Sequence, residues 1–151
     1  YGYAPSSEIS SPCAVLVPAM SVKARVVHLK RVGPGFKVSY GWTAQTLRET
    51  VIATVAVGYA DGYSRLLSSS GKMRVRGVEA PVIGRVCIDH TMLDGGHIPG
   101  VSCGDAALVF GQDKGGGISV ESVAESLSTI HYEVLTRVSA RVPRLYKTAP
   151  E

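Results

Sequence analysis

From Val22 to Val32 apolar and polar positions alternate, with Val22, Ala24 and Val26 interleaved with Lys23, Arg25 and, later, Lys30. Period two with β-branched residues predicts a strand with one face in water. Val32-Gly33-Pro34-Gly35 reads as a turn, and Phe36 to Tyr40 as the second strand of a hairpin. Thr50 to Val57 is apolar and β-branched almost throughout, the pattern of a strand buried on both faces. It stops at Gly58-Tyr59-Ala60-Asp61-Gly62, where Asp and Gly supply turn chemistry. Lys72 to Arg76 and Val78 to Ile83 flank Arg76-Gly77 as another hairpin. Arg85 to Leu93 reads as a further strand, and Asp105 to Phe110 as one more before a glycine-rich loop over 111–117.

The period changes only near the C-terminal end. Val120, Val123, Ala124 and Leu127 share one helical face behind Ser119, a good N-cap, and Glu121 and Glu125 favour the helix. Tyr132 to Val138 reads as a second short helix, ended by Arg141-Val142-Pro143. The expected fold class is mainly β and barrel-like, about six to eight strands with short C-terminal helices. Residues 1–13, rich in Ser, Pro and Gly, read as a linker arm, 14–146 as one domain and 147–151 as a tail.

Composition narrows the function classes. A chain of 151 residues with 45% hydrophobic and 19% charged residues suits one folded domain. The net charge of +4 is mild and its Lys and Arg are scattered, so nucleic acid is not an expected partner. No apolar run is long enough for a membrane span. Cys13, Cys87 and Cys103 are odd in number and far apart, which favours a reducing compartment and a cytoplasmic location. The chain opens inside Tyr1-Gly2-Tyr3-Ala4-Pro5 without a methionine, and reads as a piece of a longer protein.

Several candidate chemistries fail on spacing. The glycines of 111–115 lack the Gly-Lys-Ser/Thr that closes a phosphate loop. Asp89, His90, Asp94 and His97 lack zinc spacing, and neighbours on a strand point to opposite faces, so no metal is expected. No Gly-x-Ser-x-Gly elbow is present. Tyr40, in Ser39-Tyr40-Gly41, is the best proton-handling candidate. A tyrosine with an unperturbed pKa near ~10 needs adjacent positive charge or a hydrogen-bond relay to act as a base. Most tyrosines are packing residues whose hydroxyl finds one partner, and taken alone Tyr40 fits that description as well.

Read together, Ser39-Tyr40-Gly41, Val57-Gly-Tyr-Ala-Asp-Gly-Tyr63, Pro81-Val-Ile-Gly-Arg-Val-Cys-Ile-Asp89, Tyr132-Glu-Val-Leu-Thr-Arg137 and Arg141-Val-Pro-Arg-Leu-Tyr146 carry more. In that order and spacing, from Tyr1 to Tyr146, the chain resembles the C-terminal domain of alanine racemases, enzymes of fold type III. The resemblance implies an enzyme that uses pyridoxal 5'-phosphate, held covalently on a lysine of an N-terminal β/α barrel in the same chain. It implies L- and D-alanine as substrates and a role in supplying D-alanine for peptidoglycan. The tyrosine base of a two-base mechanism falls on Tyr40 and serves the opposite subunit of a head-to-tail homodimer. Tyr59, Arg85 and Asp89 fall on substrate-binding and entryway positions. Ile88 falls where the family has a methionine whose backbone N–H binds the substrate carboxylate. His90 stands in place of the usual Gln. Tyr132 falls on the tyrosine that binds the cofactor phosphate, with Ile130 two residues before it on the entryway. The isolated chain is expected to be inactive. Two other readings remain: a serine or broad-specificity racemase domain, which Ile88 leaves open, and a β-barrel module that binds a partner without chemistry.

Overall fold

The computed structural model describes residues 2–3, 16–113 and 115–147. Most of the expected arm over 1–13 and of the tail over 147–151 therefore lies outside the described residues. The described strands are β1 (Val22–Val32), β2 (Lys37–Val38), β3 (Ala44–Gln45), β4 (Thr50–Val55), β5 (Lys72–Val75), β6 (Val78–Pro81), β7 (Thr91–Asp94), β8 (Ala106–Asp113) and β9 (Gly116–Ile118). Two helices follow, α1 (Val120–Ser126) and α2 (His131–Thr136).

The long strand β1 is the axis of the sheet. It pairs antiparallel with β4 along one part of its length and with β8 along another, giving the order β6-β5-β8-β1-β4-β7 with β9 beside β8. A register shift between Val26 and His28 bends the strand where it passes between partners. The two edges approach each other at a bridge between Val82 and Leu93, backed by the Ile83 amide donating to the Met92 carbonyl at 2.9 Å. The sheet is thus mainly β and barrel-like, curled without full closure.

The alternating pattern buries one row from each strand. Val26, Ala53, Val55, Met73, Val75, Ala80, Leu93, Ala107 and Val109 meet inside, capped by Val120, Val123 and Ala124 of α1 and by Val134 and Leu135 of α2. Met73, Leu93 and Leu108 are essentially fully buried, each contributing about 2–3 kcal/mol by leaving water. Ser119 caps α1 as expected, its Oγ accepting from the Ser122 amide at 3.0 Å. The Arg76-Gly77 hairpin also forms. Both residues take positive φ, 54° and 79°, the two-residue turn whose twist matches its strands.

Three expectations change. Phe36–Tyr40 does not return along β1. Both sides of β1 are occupied by β4 and β8, so the short β2 pairs with β3 in a separate two-stranded sheet. Arg85–Leu93 is strand only from Thr91, because the backbone of Arg85–Ile88 is engaged by neighbouring loops and not by a ladder. The glycine-rich 111–117 stretch continues β8 to Asp113 and turns into β9, since glycine tolerates the positive φ at Gly111 (105°) and Gly116 (122°).

Candidate functional site

Immediately after β2 the chain turns sharply outward. Ser39 has φ 63° and ψ −176°, a region that is nearly glycine's alone and costs other residues about 1–3 kcal/mol. Gly41 (φ 69°) and Trp42 (φ 50°) continue the turn, and Tyr40 projects from it, 72% exposed. The Ser39 hydroxyl donates to the Arg85 carbonyl at 2.7 Å and lies 3.7 Å from the Cys87 Sγ. Gly84 makes this approach possible, because a Cβ there would stand 2.8 Å from that of Ser39. The Arg85 guanidinium lies against Gly41, its central carbon 3.4 Å from where a Cβ would be. Positive charge therefore sits beside the Tyr40 turn.

A second turn carries Tyr59 and docks on the same segment. The Tyr59 amide donates to the Cys87 carbonyl and the Ala60 amide to the Ile88 carbonyl, each at 3.0 Å. Gly58 packs so tightly that a Cβ would fall 2.3 Å from both carbonyl oxygens. The Ile88 side chain is exposed, and its amide finds no acceptor among the described residues. Asp61 closes the turn by accepting from the Gly58 amide at 2.9 Å and from Arg141 Nε at 2.7 Å. Burial pushes the Asp61 carboxyl up, but the Arg141 and Gly58 hydrogen bonds outweigh it and hold the carboxyl below its ordinary value. Arg141 also pairs with Asp89. These two hydrogen bonds, with the attraction of both carboxylates, keep the Arg141 guanidinium even more firmly protonated than usual.

The turns that carry Tyr40 and Tyr59 thus both dock on the Arg85–Asp89 segment, the first through Ser39 and Gly41 and the second through its backbone amides and Arg141. Ile130 and Tyr132 stand elsewhere, at the start of α2, where no hydrogen bond or ring contact among the described residues joins them to that segment or its turns. The Tyr132 ring packs against His131 at a tilt of 44°, with centroids 4.0 Å apart, and the His131 ring centroid in turn lies 5.6 Å from that of Tyr3. Glu133, on the first turn of α2, is held below the usual carboxylate range by the Thr129 hydroxyl and by Arg137, against the opposing effect of desolvation. Tyr132 presents a neutral O–H donor on a half-open surface, which suits the phosphate end of a cofactor. Every described lysine is exposed, which does not suit the buried amine that would carry such a group covalently.

Three of the four side chains considered for metal have other partners, Asp89 pairing with Arg141. Asp94 accepts from Thr50 and Arg48, and His97 Nε2 lies 2.7 Å from the Glu79 carbonyl. Among the described residues no group of three His, Cys, Asp or Glu is disposed to hold a metal ion. Tyr63 separates from the other tyrosines: it is buried beside Leu67 and Gly71, and burial pushes its hydroxyl well up.

Pattern reading passes over two arginines here. Arg65, on the turn after Ser64, lines a surface groove with Tyr59, Leu66 and Arg137. Arg141 appeared only as part of a C-terminal motif, and the sole signal for its role was the pair of distant carboxylates that folding brings to it.

Comparison with known proteins follows the same residues. The family described as alanine racemase, C-terminal domain, matches residues 19–146. An alanine racemase of Desulfosudis oleivorans is 50% identical over 146 residues, covering 97% of this chain and 37% of that protein. One from Desulforamulus reducens is 49% identical, covering 97% and 39%. The crystal structure of the Bacillus anthracis alanine racemase with bound L-Ala-P superposes with a TM-score of 0.91 at 39% identity, over 98% of this chain and 38% of that one. The chain spans a little over a third of the length of these relatives. Because the matched stretch takes in both outward turns, the Arg85–Asp89 segment and α2, and the fold agrees throughout, the chain belongs to the family of alanine racemase C-terminal domains.

Proposed function

We propose that this chain is the C-terminal part of an alanine racemase and supplies half of the residues of its active site. The carrying observation is that the turn bearing Tyr40 docks, through Ser39 and Gly41, on the segment that carries Arg85 and the Ile88 amide, which has no acceptor among the described residues. The enzyme interconverts L- and D-alanine in the cytoplasm, and its relatives at 44–50% identity are alanine racemases.

Each residue has a definite task in this reading. Pyridoxal phosphate, when bound, acidifies the α-proton of the amino acid attached to it. Tyr40, projecting into solvent from this chain, exchanges that proton on one face of the α-carbon, its oxygen taking the proton up as phenolate and giving it back as phenol. Arg85, held against Gly41, places a positive charge beside the Tyr40 turn. The Ile88 amide donates to the substrate carboxylate, a role that survives any side chain because the donor is backbone. Tyr59 and Asp89 line the approach, with Ile130 beside Tyr132 at the other end. The Tyr132 hydroxyl donates to the cofactor phosphate.

In this reading the second base and the cofactor-bearing lysine belong to the N-terminal barrel of the same protein. On the same reading Tyr40 reaches the active site of the partner subunit in a head-to-tail dimer, whereas Tyr132 serves its own. In the full-length enzyme Tyr40→Phe lowers racemisation by about 10²–10⁴-fold while the bound-cofactor absorbance is retained. A variant racemising at near the parent rate would overturn the assignment.

A further inference from the structure

Ser39 stands where glycine would be at ease. Its φ of 63° with ψ −176° is a conformation that side chains disfavour, yet the residue carries a hydroxyl. That hydroxyl is occupied: it donates to the Arg85 carbonyl at 2.7 Å and stands 3.7 Å from Cys87 Sγ. The bond spans 46 residues of sequence and ends on the backbone that leads directly to the Ile88 amide. Gly84 is bare of a Cβ where Ser39 approaches, and Gly41 is bare where the Arg85 guanidinium rests. The two glycines and the serine thus form one fitted joint between the Tyr40 turn and the Arg85–Asp89 segment.

We propose that Ser39 is a positioning residue: its hydroxyl, held in a strained backbone turn, fixes where the Tyr40 phenol stands relative to the Arg85 guanidinium and the Ile88 amide. This rests on the reading of Tyr40 as the proton carrier. Tyr40 itself is open to solvent and makes no hydrogen bond to a described residue, so its side chain is not located by packing. Its place is set by the backbone on either side, and Ser39 is the neighbour anchored to the opposing loop. Proton transfer is sensitive to such placement, a displacement near 1 Å costing on the order of 10²-fold.

The test uses the full-length, cofactor-loaded enzyme with Ser39→Gly, Ser39→Ala and Tyr40→Phe, assayed in both directions with unlabelled and α-deuterated alanine. Glycine accepts the turn's backbone, so Ser39→Gly removes the hydroxyl without opposing the fold. Both Ser39 variants are expected to lower kcat by about 10–100-fold with KM little changed. The substrate deuterium isotope effect is expected to rise only in the direction in which Tyr40 removes the α-proton. A purely structural role would not produce that asymmetry. Ser39→Gly with the parent kcat and isotope effects, beside an inactive Tyr40→Phe, overturns the positioning role alone. A loss of kcat with isotope effects unchanged in both directions does the same. Near-parent rates in Tyr40→Phe overturn the Tyr40 reading and this inference with it.

Discussion

Arg141 and Asp61 stand eighty residues apart in sequence and 2.7 Å apart in the fold, Nε to Oδ1. The same guanidinium reaches Asp89, so one side chain from the C-terminal segment ties the Tyr59 turn to the end of the Arg85–Asp89 segment. The Ser139 amide, donating to the Asp61 carbonyl at 3.2 Å, adds a backbone link between the C-terminal segment and the Tyr59 turn.

This clasp makes stability depend on pH with a definite sign. The Asp61 carboxyl is depressed in the folded state, so its contribution is fully present above the unfolded carboxylate value of about 3.9. It is lost as the pH falls through the lower folded value. Asp61→Asn should therefore lower the urea midpoint at pH 7, and the gap to the parent should close as the pH falls below the unfolded carboxylate value and through the lower folded one. Urea titrations of both proteins at several pH values check this. A gap that stays constant down to acid would show that charge is not the source.

Gly58 tests the docking of the Tyr59 turn. A Cβ would lie 2.3 Å from the Cys87 and Ile88 carbonyl oxygens, and backbone on both sides leaves little room to yield. Gly58→Ala is expected to destabilise by about 3 kcal/mol. Urea unfolding measures the loss, and in the full-length enzyme KM for alanine should rise as the Ile88 amide is displaced.

Tyr132→Phe should act on the cofactor and not on the proton. Removing one hydrogen bond to a charged phosphate costs about 1.5–3 kcal/mol, or roughly 10–100-fold in affinity. Equilibrium dialysis of the full-length enzyme against pyridoxal phosphate reads this directly. Unchanged affinity would remove Tyr132 from the phosphate site.

The chain by itself should not act. Mixed with pyridoxal phosphate and L-alanine, it is expected to form no D-alanine above the rate of free cofactor and no discrete visible band beyond that of exposed amines. Chiral analysis of the alanine and a visible spectrum suffice. Enzyme-level turnover would mean that this chain holds the cofactor and both bases.

Much of the fold was readable in the chain because strand and helix periods are local. The alternation of Val22–Val32, the apolar Thr50–Val57 run, of which Thr50–Val55 forms the strand, and the helical face of Val120, Val123, Ala124 and Leu127 each name their element without reference to anything distant. Turn chemistry was also local, as at Arg76-Gly77. The motifs around Tyr40, Tyr59, Arg85 and Tyr132 were recognisable for the same reason, since each is a few contiguous residues.

Partnership could not be read that way. Which strands flank β1 depends on contacts far along the chain, so Phe36–Tyr40 was assigned to a hairpin with β1 although β4 and β8 occupy that strand. The Arg85–Ile88 stretch has strand composition, yet its carbonyls satisfy the Tyr59 and Ala60 amides and the Ser39 hydroxyl. No local pattern reveals that demand. The strain at Ser39 is invisible in sequence because serine is common in turns of every kind, and only the opposing Arg85 carbonyl and the bare Gly84 explain it. Sequence alone therefore determines the elements and the family's motifs. Folding decides which hydroxyl, amide and guanidinium come to share one surface, because hydrogen bonds and close packing join residues that are dozens of positions apart.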